Sequence, residues 1–173
     1  VEATVLYPKL SGPKLLLGLY LNELLMRLLQ HQDSHPSLFA DYDHTINALE
    51  QSSLETEQQM ILRQFELKLV AELGYGIDLF HEAKTGESIS PELLYSFDAT
   101  TGMIEASSMS LSDKLTISGA SIIALQTGVC ENEMQLREAK KLMRFVLAHY
   151  LGNKPLQSRK LFHHALKGAA ENV

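Results

Sequence analysis

The chain has 173 residues, 45% of them hydrophobic and 21% charged, with a formal net charge of −6. That size and balance fit one globular domain able to bury roughly 70% of its unfolded surface, and they exclude a disordered chain. No apolar run approaches the ~18 residues of a membrane span, because Leu15 to Leu29 is broken by Asn22, Glu23 and Arg27.

Residues 1–7 alternate β-branched and polar side chains and read as one strand, which needs a sheet to join. Pro8, Gly12 and Pro13 then break the chain before an apolar helix from about Lys14 to His31. Its stripe of Tyr20, Leu24 and Leu28 lies beside Leu17, Leu21 and Leu25, wide enough to be buried on several sides. Pro36 starts a second helix running to about Glu50. A third, from about Leu54 to Leu73, turns Leu62, Phe65, Leu69 and Leu73 inward and stops at Gly74, a natural left-handed cap.

From Ile77 to Ser110 the helical period disappears, and the segments 93–97 and 103–106 around Asp98 to Gly102 predict a β-hairpin. A short helix follows over about Ser121 to Gln126, ended by Gly128. Asn132, with Gln135 three residues on, opens a long helix to about Leu151. Gly152 and Pro155 end it, and Ser158 is placed to cap a last helix reaching about Lys167.

The charge is unevenly spread. Residues 1–136 carry seven Lys or Arg against nineteen Asp or Glu, whereas residues 137–173 carry eight against two. An acidic body with a basic terminal quarter suits a local phosphate or acidic-peptide contact better than general nucleic-acid binding. With Arg137 at zero on the long helix, Lys140, Lys141 and Arg144 fall within about 60° of it. Leu142, Phe145, Val146 and His149 take the other side, at about 80–180°. The basic stripe reads equally as a solvated face. Lys154, Arg159 and Lys160, in a loop leading to an exposed helix N-terminus, favour anion binding.

Catalytic and metal chemistry find little support. His31 and His35 are four apart, but Pro36 breaks the helix that would align them, and His163 and His164 point about 100° apart on a helix. Cys130 sits beside acids that discourage a thiolate, and no nucleophile elbow, P-loop or dinucleotide glycine pattern occurs. Asp41 and Asp43 would face opposite sides of their helix. A single cysteine also excludes an internal disulfide framework and suits a cytoplasmic protein. The start at Val1, without a basic-then-apolar leader, reads as that of a fragment or processed product.

Four segments, in one order, carry a resemblance. They are Gly18-Leu19-Tyr20-Leu21-Asn22-Glu23-Leu24-Leu25, Leu62-Arg63-Gln64-Phe65-Glu66-Leu67, Leu73-Gly74-Tyr75-Gly76 and Leu151-Gly152-Asn153-Lys154-Pro155-Leu156-Gln157-Ser158-Arg159. Together, over about Leu6 to Leu166, they resemble the RecO family of bacterial recombination mediators. The resemblance implies a mainly α (α+β) fold. A compact helical carboxy-terminal domain would span 12–173, with a β-hairpin insert at 77–110, and 1–11 would be the remnant of an amino-terminal OB-fold strand and connector. It also implies a non-enzymatic repair protein that helps load RecA on single-stranded DNA or anneals it. Its partners would be RecR, the acidic tail of single-stranded-DNA-binding protein (SSB) and, weakly without the OB-fold, single-stranded DNA.

Many relatives bind zinc at two Cys-x-x-Cys pairs around the hairpin. Here the first pair aligns with Glu82 and Thr85 and the second is absent, so the resemblance implies no metal and no cofactor. The hairpin would then be held by packing through Leu94, Phe97 and Ile104. An acidic tail ending in Phe asks for an apolar slot and nearby cations. Arg63 is the candidate for its carboxylate, and Leu62, Phe65 and Leu69 are candidates for the slot walls, although their spacing favours a place in the core. Lys140, Lys141, Arg144, Lys154, Arg159 and Lys160 are candidates for the tail's aspartates. The alternative is direct DNA-phosphate binding through the basic residues of 137–167.

Overall fold

A computed structural model describes residues 10–30, 33–106, 115–152, 155–158, 160 and 161. The strand expected over 1–7 and most of the helix expected beyond Ser158 lie outside the described residues. The first three helices are α1 (Pro13–Leu28), α2 (Pro36–Gln51) and α3 (Glu55–Glu72). Proline at the first turn opens α1 and α2, where its missing N–H is harmless and its fixed φ suits a helix. α1 stops at Leu28 instead of His31, because Leu29 turns extended while its N–H still bonds Leu25. Gly74, at φ 86°, takes the left-handed conformation after α3.

The hairpin is part of a larger sheet. Strands β1 (Leu94–Asp98), β2 (Gly102–Glu105) and β3 (Leu115–Ser118) form an antiparallel sheet in the order β2-β1-β3. Sequence patterning found the first two and missed β3. Tyr95 stands between Glu105 and Ile117, and Phe97 between Met103 and Leu115. Alternation therefore sends Tyr95, Phe97, Met103, Leu115 and Ile117 to the buried face. Of the expected packing residues only Phe97 is on it; Leu94 is 49% exposed, and Ile104, paired with Ser96, faces away with it.

The chain then passes into α4 (Gly119–Thr127) and α5 (Glu133–Leu151). Ser118 caps α4 through Ser121 N–H, and Gly128 at φ 75° ends it. Asn132 Oδ1 accepts Gln135 N–H at 3.0 Å, while Gln135 Oε1 accepts Glu131 N–H at 2.7 Å, fixing the start of α5. Both α3 and α4 pack on α5, and α2 packs on α3. Leu21, Leu24, Leu49, Leu69, Val70, Leu142, Met143 and Leu147 form a dry centre, each fully buried. Burying such a side chain contributes about 1.5–3 kcal/mol, so α5 is the strut on which the other elements settle.

Candidate functional site

Arg63, on α3, points inward. Its Nη2 donates to Glu66 Oε1 at 2.6 Å, and the Tyr20 hydroxyl from α1 donates to the same oxygen. The Arg63 and Glu66 side chains are 6% and 0% exposed. Leu62, Phe65 and Leu69 are buried in the common core, so the expected slot walls are closed by packing. Arg63 Nε is buried with no hydrogen-bond partner.

Lys140 and Arg144, one turn apart on α5, bring their charges to the same place. Lys140 is half-buried and Arg144 exposed. Burial first, then the positive charges of Arg144 and Arg63, hold the Lys140 ammonium below its usual range. The carboxylates of Glu55 and Glu66 offset only part of this effect. Exposed Lys141 lies on the side of Glu138, whose carboxylate accepts from Ser118 Oγ and Ser121 Oγ at 2.7 Å. Burial would raise the Glu138 pKa, but bonds from Ser118 and Ser121, with the charge of Lys141, bring it below the ordinary value. Lys160 is exposed, whereas Lys154 and Arg159 lie outside the described residues.

The helix N-terminus after α5 does not stand open, contrary to the sequence expectation. Glu23 of α1 accepts Gln157 N–H at 2.7 Å, Ser158 N–H at 2.8 Å and Ser158 Oγ at 2.6 Å. An internal carboxylate thus occupies the amides that an anion would seek. Ser158 donates its hydroxyl to that carboxylate.

Glu82 and Thr85, which the resemblance aligns with a metal-binding cysteine pair, are engaged in a turn of their own. Among the described residues, no three His, Cys, Asp or Glu side chains gather as metal ligands. Glu82 Oε2 instead accepts Lys84 N–H at 2.8 Å and Thr85 N–H at 2.5 Å, and Thr85 Oγ1 accepts Glu87 N–H. The turn closes on a carboxylate. The bond from Thr85 N–H is the largest influence on Glu82, and with those from Lys84 and Glu105 it holds the pKa below the ordinary value. His35 is turned to Glu72 at 2.8 Å, and His31 lies outside the described residues.

Among the described residues, two surface grooves stand out, and neither is lined by Arg63, Lys140 or Arg144. One, apolar, lies between α1 and α2 beside Leu25, Leu29, Phe39 and Tyr42. The other runs between the loop after α3, the β1–β2 turn and the last turns of α5. Phe145, which the helical wheel placed with the core, is 47% exposed at its edge. Sequence reasoning missed this groove and the Tyr20–Glu66–Arg63 cluster; the only advance signal was that Tyr20, Arg63 and Glu66 lie within two of the recognisable segments.

The fold is a helical scaffold with a small antiparallel sheet, and Lys140 and Arg144 of α5 lie within electrostatic reach of Arg63 on α3. Residues 10–160 match the family described as recombination protein O, C terminal. The chain is 42% identical over 153 residues to the DNA repair protein RecO of Yersinia pestis (strain Pestoides F), covering 88% of this chain and 61% of that protein. The RecO of Yersinia pseudotuberculosis serotype O:3 (strain YPIII) gives the same values. That of Azoarcus sp. (strain BH72) is 36% identical over 162 residues, 92% of this chain and 65% of the relative. The chain belongs to the RecO family, matches its carboxy-terminal model and spans about three-fifths of the length of these relatives.

Proposed function

We propose that this chain is the helical recognition part of a non-enzymatic DNA repair and recombination mediator, and that Lys140 and Arg144 at its α3–α5 locus take the aspartates of the acidic tail of SSB. The observation that carries the reading is the placing of half-buried Lys140 within reach of the charges of Arg144 and Arg63, which add to the effect of burial in holding its ammonium below the usual range. Like charges brought together repel, and an anionic ligand relieves that repulsion. Arg63 is buried and paired with Glu66, so half-buried Lys140 and exposed Arg144 are the cations that meet the ligand. A charged hydrogen bond worth about 1.5–3 kcal/mol suits a contact that forms and releases as SSB is displaced. Through it the protein works in the cytoplasm with RecR to place RecA on, or anneal, single-stranded DNA.

The test is titration of a fluorescent acidic peptide ending in Phe against the chain and against Lys140→Glu with Arg144→Glu. We expect at least tenfold weaker binding for the double variant, with an unchanged melting temperature. Unchanged affinity overturns the reading. The exposed Lys141 beside Arg144 supports direct phosphate binding as the second reading. Under it, the double variant loses oligonucleotide binding while keeping the peptide, and four phosphate contacts give a log–log salt slope of about −2.8.

A further inference from the structure

We propose that the groove between the loop after α3, the β1–β2 turn and the end of α5 receives an arginine side chain from a partner polypeptide. The cavity measures about 670 Å³. Tyr75 and Phe145, 54% and 47% exposed, stand at it with their rings accessible. Tyr75 and Tyr150 lie with ring centroids 4.5 Å apart, and His149 meets Tyr150 edge-on at 5.1 Å. Aromatic faces of this kind attract a cation, and a planar, weakly hydrated guanidinium stacks on them better than an ammonium does.

The charge selects the occupant. Asp78 lies on the groove wall, and among the described residues no Lys or Arg lines it. Asp78 stays ionised, because hydrogen bonds from Phe80 N–H and His81 hold its carboxyl below the usual range. Residues 77–106, which supply the insert side, carry six Asp or Glu and one Lys, a net charge of −5. A nucleotide phosphate or an acidic peptide would meet repulsion here, whereas an arginine finds a carboxylate at one end and ring faces along its length. The site is independent of the α3–α5 locus.

The probe is a five-residue peptide in which one arginine is flanked by leucines, titrated into the ¹⁵N-labelled chain and followed by NMR. Saturable shifts are expected at Tyr75, Phe145 and His149. The citrulline analogue, equal in shape but neutral, should bind at least fivefold more weakly, and Asp78→Asn and Phe145→Ala should each weaken the arginine peptide by a similar factor. Phe145→Ala removes an exposed ring and serves if Asp78→Asn loosens its loop. Equal binding of the citrulline peptide, tighter binding of thymidine monophosphate or of an acidic Phe-ended peptide at these residues, or no saturable shift would each overturn the proposal.

Discussion

Arg63 and Glu66, three residues apart on α3, form a 2.6 Å ion pair inside the helical core, with Tyr20 of α1 donating to the same carboxylate. Two charges removed from water gain little net stability from each other, yet removing one strands its partner at a cost of about 3–5 kcal/mol. Arg63→Ala is expected to lose stability of that order. Arg63→Met with Glu66→Gln should recover most of it, since glutamine keeps an acceptor for Tyr20. Urea unfolding midpoints read both. A double variant no more stable than Arg63→Ala would contradict the stranded-charge account, since methionine refills the space of the arginine stem and glutamine removes the charge. The same cost explains why Lys140 and Arg144 are the better positions at which to test ligand binding.

Glu82 organises the turn that leads to the sheet by accepting backbone N–H groups of Lys84 and Thr85. Its pKa is lowered on folding, so its stabilising effect is present above the range where a free glutamate titrates and lost as pH falls through the lower folded value. Amide exchange at Lys84 and Thr85 should quicken in Glu82→Ala at neutral pH. In the parent chain the same amides should lose protection only under acid conditions. Slow exchange in the variant would assign the turn's order to the pairing of Ala83 N–H with Met103 O instead.

Local punctuation made most of the helical fold legible. Pro13, Pro36, Asn132 and Gly128 each act within a few residues of themselves, and the ends they set match the structure. The third strand was not legible, because Leu115–Ser118 has four residues and pairs with β1 across about twenty residues of chain. Strand phase was misread for a related reason. Leu94 and Phe97, three apart, cannot share a face, and both being apolar the sequence leaves the choice to what packs against the sheet. The basic residues of α5 were visible as a stripe, but a helical wheel does not say what lies opposite. That Lys140 approaches Arg63, or that Glu23 meets Ser158 from 135 positions away, depends on tertiary packing.

Gly119 starts α4 hard against the chain ahead of β1. Its N–H bonds Leu93 O at 2.8 Å, and a Cβ built on it would overlap the Ser90 carbonyl and lie 3.2 Å from Pro91 Cα. Backbone cannot swing aside as a side chain can, so Gly119→Ala should cost about 3 kcal/mol. Gly76 offers the contrast, with its nearest Cβ neighbour at 3.9 Å from Ala71 and no positive φ. There the substitution should be neutral or stabilise by up to about 1 kcal/mol, through the lower entropy of the unfolded chain. Thermal melts of the two variants check the pair; similar melting temperatures would contradict the account of both glycines.

Glu23 ties α1 to the segment after α5, bonding the amides of Gln157 and Ser158 as a phosphate would at a helix N-terminus. Burial works against its charge. The bonds from Ser158 and Gln157, with the charge of Arg27, outweigh burial and bring its pKa below the ordinary value. A lowered carboxyl pKa contributes stability above the unfolded value, around pH 4.3, and loses it as pH falls through the folded value. Glu23→Gln should therefore cost about 1–2 kcal/mol at pH 7, discounted for partial exposure, and the gap from the parent chain should narrow in acid. Urea unfolding across that range reads the gap, and a difference independent of pH would assign the loss to shape instead of charge. With its carboxylate removed, Glu23→Ala should also free the Gln157 and Ser158 amides. Inorganic phosphate should then shift those two amides in the variant and leave them unmoved in the parent chain, because the site is already filled from within.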